Sequence, residues 1–108
     1  MSSKNLKVYL SGAITGTEGY EERFDKAEKY FREKGFDVIN PCRVNKQLPD
    51  STTHYEYMEM SLVMIKMADG IALFPDWENS KGANLEKTYA ETLNKVVWKI
   101  PQTIFGRM

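Results

Sequence analysis

The sequence predicts a single α/β domain in which a parallel sheet lies between two layers of helices. Three observations carry that prediction. Short apolar runs alternate with longer segments of helical period along the whole chain, in the order β-α-β-α-β-α-β. The run at 70–74 (Gly-Ile-Ala-Leu-Phe) is apolar at every position, as a central strand covered on both faces must be. The first and third runs each pass into a loop of small or polar residues, which is where such sheets bind ligands. With 108 residues the chain can build one core and not two, so the domain is expected to span 1–108.

Residues 6–10 (Leu-Lys-Val-Tyr-Leu) read as the first strand, which runs into a strand-to-helix loop at 11–16 (Ser-Gly-Ala-Ile-Thr-Gly). A helix is predicted over 17–34, with Tyr20, Phe24, Ala27 and Phe31 as its inward stripe, and Gly35 supplies the C-terminal stop. The second strand is 36–39, ended by Asn40-Pro41. Positions 42–52 show no period, and their length suggests a functional loop or lid. A second helix is predicted over 53–67. Its methionines at 58, 60, 64 and 67 spread around the axis, which fits either a homo-oligomer contact or a well-covered core helix. After the 70–74 strand come a polar loop at 75–82, a third helix over 82–94 and a last strand at 96–100; the tail at 101–108 is expected to be loose. Right-handed crossovers make the order 2-1-3-4, with room for a fifth strand, a flavodoxin/Rossmann-like three-layer sandwich. Ligands then belong at the switch point between the first and third strands, where loops 11–16 and 75–82 meet.

Composition narrows the function. Lys plus Arg and Asp plus Glu both total 15, and neither half of the chain is basic, so duplex nucleic acid is not the expected partner. Cys42 and His54 are each alone of their kind, which removes a disulfide, a zinc site and most nucleophile-histidine systems. No stretch resembles a signal peptide or a membrane span, so a soluble cytoplasmic protein is expected. Glycines at 12, 16 and 19 fit neither the dinucleotide fingerprint nor the P-loop.

Glu86 stands out. On a helix over 82–94, with about 100° of turn per residue, Ala83, Leu85, Tyr89, Ala90 and Leu93 define one apolar arc, and Glu86 falls inside it. A carboxylate aimed at a core costs several kcal/mol unless it is paired or faces a cavity. It cannot close a capping box, because the residue three positions earlier is Ala83. A dipole role at the helix start or a buried cation partner remains open beside a functional one.

The stretches Val8-Tyr9-Leu10-Ser11-Gly12-Ala13-Ile14-Thr15-Gly16, Ala68-Asp69, and Asp76-Trp77-Glu78-Asn79-Ser80-Lys81-Gly82-Ala83-Asn84-Leu85-Glu86 with Ala90 resemble the nucleoside 2-deoxyribosyltransferase superfamily. They are most similar to its small branch in bacteria and phages, related to the deoxynucleoside 5'-monophosphate N-hydrolases. The resemblance covers roughly 6–98. It implies cleavage or transfer at the N-glycosidic bond of a small (deoxy)nucleoside or its 5'-monophosphate, without metal or organic cofactor. A non-catalytic nucleotide or nucleotide-signal binding protein with the same pocket is the alternative.

The resemblance makes Glu86 the nucleophile at C1', Tyr9 its orienting partner, Asp76 an aid to protonating the departing base and Asp69 a further acid of the site. It implies that Ser11 and Ser80 hold the 5'-phosphate, and the expected substrate-binding set is Ser11, Gly12, Ile14, Gly16, Trp77, Ser80, Gly82 and Ala83. Plain structural roles stand beside these: a core aromatic for Tyr9, a turn for Asp76, a cap for Asp69, a loop cover or base-stacking platform for Trp77, an N-cap for Ser80. The resemblance also implies a homodimer or higher homo-oligomer, because relatives complete the pocket from a neighbouring subunit's C-terminal segment; 102–108 carries no obvious match to it.

Overall fold

The computed structural model describes residues 5–14 and 18–106. Four parallel strands form one sheet in the order β2-β1-β3-β4, as predicted. In chain order, β1 is Lys7–Ser11, α1 is Tyr20–Glu33, β2 is Asp37–Ile39, α2 is Pro41–Asn45, α3 is His54–Met67, β3 is Gly70–Leu73, α4 is Lys81–Thr92 and β4 is Val96–Lys99. Short 3₁₀ turns at Trp77–Asn79 and Gln102–Phe105 complete the described elements.

The sheet divides two cores. Successive side chains of β1 point to opposite faces. Val8 and Leu10 therefore pack with Phe24, Ala27 and Phe31 of α1, whereas Tyr9 packs with Met64 and Ile65 of α3 and Ala90 of α4. β3 is buried at all four positions. Gly70 is required there: a Cβ would stand 2.5 Å from the Val96 carbonyl oxygen and 2.6 Å from the Trp98 ring.

Helix ends follow their caps. Gly35, at φ 91°, ends α1 in a Schellman arrangement in which the Phe36 amide donates to the Phe31 carbonyl. Asn94, at φ 58°, does the same for α4, with the Lys95 amide donating to Ala90, so that helix stops at Thr92 rather than 94. Thr53 closes a capping box with Glu56 at the start of α3.

Three expectations are corrected. The 42–52 segment is not loop throughout, because Asn40 caps the Cys42 amide and Pro41 occupies the first helical turn, and the short α2 results. The tail is not loose as far as it is described: the turn at Gln102–Phe105 brings Ile104 and Phe105 onto the α1-side core, where Phe105 stacks on Phe74 with centroids 5.5 Å apart. Leu85 is 45% exposed, because it lies about 100° around α4 from Glu86, off the buried stripe. Residues 15–17, including Gly16 and the expected start of the first helix, lie outside the described residues. Among the described residues no helix is long and apolar enough to cross a membrane.

Candidate functional site

β1 ends at Ser11 and β3 leads into Phe74, so the loops that follow both strands meet at the carboxyl edge of the sheet. Gly12 lies directly over Phe74; a Cβ there would stand 2.6 Å from the ring. Arg23 of α1 ties the two loops together, donating to the Ala13 carbonyl and to Asp76 Oδ2, each at 3.3 Å. Beside this edge opens a cavity of about 880 Å³. One wall is the first loop and the α4 N-terminus, with Gly12, Ile14, Asp76, Ser80 and Gly82. The other is α2 and α3, with Pro41, Cys42, Asn45, Tyr57 and Ser61.

Glu86 lies where α4 crosses the carboxyl ends of β1 and β3. Tyr9 and Ser11 stand two residues apart on β1, so their side chains point to the same face, and both hydroxyls reach the carboxylate. The Tyr9 phenol donates to Glu86 Oε2 at 2.8 Å and the Ser11 hydroxyl donates to Oε1 at 2.7 Å. Among the described residues no cation pairs with Glu86. Burial pushes its carboxyl above the ordinary glutamate value, against the opposing hydrogen bonds from Ser11 and Tyr9. Burial, reinforced by the Glu86 charge, raises the Tyr9 phenol well above its ordinary value, so it stays a proton donor at neutral pH.

A second buried glutamate provides contrast. Glu28 of α1 is 8% exposed and receives the Arg32 and Arg43 Nε–H groups at 2.7 Å each and the Asn40 amide at 3.1 Å. Burial works against its charge, but the bonds from Arg32, Arg43 and Asn40 hold the carboxyl below the ordinary range. Glu28 is a neutralised joint that fastens α2 to α1. Among the described residues Glu86 is held by neutral donors alone, and it faces a cavity.

The structure brings Glu86, Tyr9, Asp76, Gly12, Ile14, Ser80 and Gly82 to the cavity. Ser80 also serves as N-cap, its hydroxyl accepting from the Ala83 amide at 3.1 Å. Three residues expected in the site, Asp69, Trp77 and Ala83, stand elsewhere, and a fourth, Ser11, meets Glu86 from beneath rather than the cavity. Asp69 precedes β3 and so lies at the amino edge of the sheet, where it accepts from the Lys7 amide at 2.8 Å. Ser11 is 0% exposed, and its proton is committed to Glu86 rather than to a ligand phosphate. Trp77 packs on the α3/α4-side core with Lys87 Nζ 5.3 Å from its ring centroid, covering the loop. Ala83 is buried beneath the helix start.

Sequence reasoning marked 42–52 as a functional loop or lid but named no residue of the second wall. Among the described residues, Asn45 Oδ1 and Asp76 Oδ1 are both buried without a hydrogen-bond partner. The Cys42 thiol is pushed up to about 12 by burial and the nearby Glu21 and Asp25 charges, which leaves it a neutral, apolar element of that wall. The signal for this wall was the Asn40-Pro41 pair, which starts a helix as readily as it ends a strand. Among the described residues no group of three His, Cys, Asp or Glu side chains could hold a metal ion.

A four-stranded parallel sheet in this order, with a cavity at the carboxyl edge beside the switch point, defines a flavodoxin/Rossmann-like α/β protein. Among solved structures it is similar to the CMP N-glycosidase BcmB of Clostridium botulinum, with a TM-score of 0.61 and 22% identity over 86% of this chain. The match spans 66% of that protein's length, and the likeness is one of fold. The chain belongs to the family described as Domain of unknown function (DUF4406), which it matches over residues 6–99. No curated protein matches it.

Proposed function

We propose that this protein cleaves or transfers at the N-glycosidic bond of a small (deoxy)nucleoside or nucleoside 5'-monophosphate, with Glu86 as the nucleophile. The observation that carries this reading is the Glu86 carboxylate: cavity-facing, without a cation among the described residues, and bonded by two hydroxyls from one strand. One Glu86 oxygen would add to C1' as the C1'–N bond breaks, and the base would depart with the bonding pair and take up a proton relayed on the Asp76 side. A carboxylate suits this step because it stabilises oxocarbenium-like charge and then bonds to the carbon. Water adding to C1' would release the sugar and regenerate Glu86; the nitrogen of a second base in its place gives transfer.

The α4 N-terminus supports the 5'-monophosphate form. Gly82 precedes Glu86 by one helical turn, ~6 Å of rise, a span comparable to that from an anomeric carbon to a 5'-phosphate. The first amides of a helix attract anions; Ser80 already takes the Ala83 amide, and a Cβ at Gly82 would meet the Ser80 hydroxyl at 3.8 Å, an ordinary contact. The similarity in fold to a protein described as a CMP N-glycosidase agrees with this choice of substrate class.

The test is to incubate the protein with a panel of nucleosides and monophosphates and follow free base by chromatography. Base release supports the reading; tight binding with intact ligand recovered replaces it with a binding module. The pH profile gives a sharper expectation. Only ionised Glu86 can attack, and its carboxyl is raised, so kcat/KM should climb with pH along an acid limb above the ordinary glutamate range. Tyr9→Phe removes a hydrogen bond that favours the ionised form. The limb should then move to higher pH and the neutral rate fall ~10–100-fold. An unmoved limb would remove Tyr9 from the role of orienting partner.

A further inference from the structure

We infer that Arg23 is a positioning residue for departure of the base, acting through Asp76 without touching the ligand. The inference rests on the reading above, in which a proton reaches the base on the Asp76 side. Asp76 lines the cavity and Arg23 stands behind it. Asp76 Oδ1 is sealed from solvent, yet the side chain as a whole is 35% exposed. Oδ2 is therefore the oxygen that can meet a ligand, and it is the one that accepts from Arg23 Nη1 at 3.3 Å.

The guanidinium is itself held from two further directions. Its Nη2 donates to the Ala13 carbonyl at 3.3 Å, and its Cζ lies 5.8 Å from the centroid of the Phe74 ring, within reach of a cation–π attraction. Phe74 is fully buried, so this anchor is firm. A planar guanidinium held at three points sets the direction of the N–H that Asp76 receives. The loop does not need Arg23 for its shape. Asn84 of α4 reaches back and donates to the carbonyls of Trp77, Glu78 and Ser80, the shortest bond being 2.8 Å. The Trp77 amide donates to the Phe74 carbonyl at 3.0 Å. Backbone on both sides of Asp76 is thus secured independently, and what Arg23 adds is the direction of one carboxylate. A half-exposed ion pair contributes little to stability, which leaves orientation as its main effect. In the step it serves, the base leaves with the C1'–N pair and takes one proton from Oδ2 or from a water bound to it. The water that later adds to C1' returns one proton there.

The experiment measures kcat/KM, which covers the steps up to departure of the base. It uses the substrate whose base is released and its ring-fluorinated analogue, 5-fluoro for a pyrimidine or 2-fluoro for a purine. A fluorinated base leaves more readily without a proton. Arg23→Met keeps the apolar stem and should lower kcat/KM on the ordinary base about 10–100-fold. It should also raise the fluorinated-to-ordinary ratio roughly three- to tenfold. Asp76→Asn should raise the ratio likewise, and the double variant should be no slower than Asp76→Asn alone. Each ratio is read within one variant, so it does not change with the fraction of protein folded. An unchanged ratio in Arg23→Met, or losses that multiply in the double variant, overturn the inference, because either means that Arg23 only supports the fold. Glu86→Gln checks the underlying reading separately. Base release that Glu86→Gln abolishes, with Arg23→Met as fast as the parent, defeats the role of Arg23 and leaves the glycosidic reading standing. No base release from any substrate defeats both.

Discussion

Glu86→Gln should abolish release of free base, by roughly 10³–10⁶-fold in kcat, because an amide cannot form the ester to C1'. Two companion results separate this from simple unfolding. Ligand affinity should survive, since the amide occupies the same volume and can still accept from Tyr9 and donate to Ser11. Thermal stability should rise at neutral pH, because the substitution removes a buried charge that has no cationic partner among the described residues. The sign follows from the raised carboxyl. In the folded protein Glu86 holds its proton to higher pH than in the unfolded chain, so the penalty on folding is fully present above the folded pKa. It is relieved as pH falls through that value and gone below the ordinary glutamate value. The melting-temperature gap between the two proteins should therefore narrow on acidification. Full activity in Glu86→Gln would end the nucleophile assignment; a lower melting temperature at neutral pH would mean that Glu86 is a stabilising group like Glu28.

Phe74→Ala should be the most damaging truncation for stability. Phe74 is fully buried, its ring centroid 4.4 Å from that of Phe24 and 5.5 Å from that of Phe105, with Gly12 pressed against one side. Emptying such a site costs about 3–5 kcal/mol. In a domain of this size each kcal/mol lowers the melting temperature by about 4–8 °C. Urea unfolding should show an earlier midpoint at an unchanged slope. The void also lies beneath the Gly12 loop, so ligand affinity should fall together with stability, which a truncation on the far side of α1 would not cause. A loss under about 1 kcal/mol would contradict the packing described, since that is the cost of a mild core change.

Much of this architecture could be read from residues alone, for identifiable reasons. The uninterrupted apolar run at 70–74 has few homes other than a covered central strand, and Gly35 marks a helix end because its conformation requires a positive φ. Glu86 was legible because an acid inside an apolar arc conflicts with its surroundings. The misplaced residues failed for equally physical reasons. Asp69 precedes its strand, and in a parallel sheet that puts it at the edge away from the ligand. Ser11 is two residues from Tyr9, and the period of a strand already required both to face the same helix. Asn45 could not be found this way, because nothing in a short polar stretch announces that a carbonyl oxygen will be buried without a partner. The contacts of Ile104 and Phe105 depend on a turn at Pro101 that no helical or strand period reports.

The two cavity walls are attached to the molecule in different ways. The wall bearing Glu86 is made of β1 and α4, whose positions follow from the hydrogen bonds and buried apolar contacts of the sheet itself. The wall bearing Asn45 begins in a five-residue helix fastened to α1 through Glu28, Arg43 and Asn40. A change confined to that short piece would therefore reshape one side of the hollow and leave the bonds from Tyr9 and Ser11 to Glu86 in place.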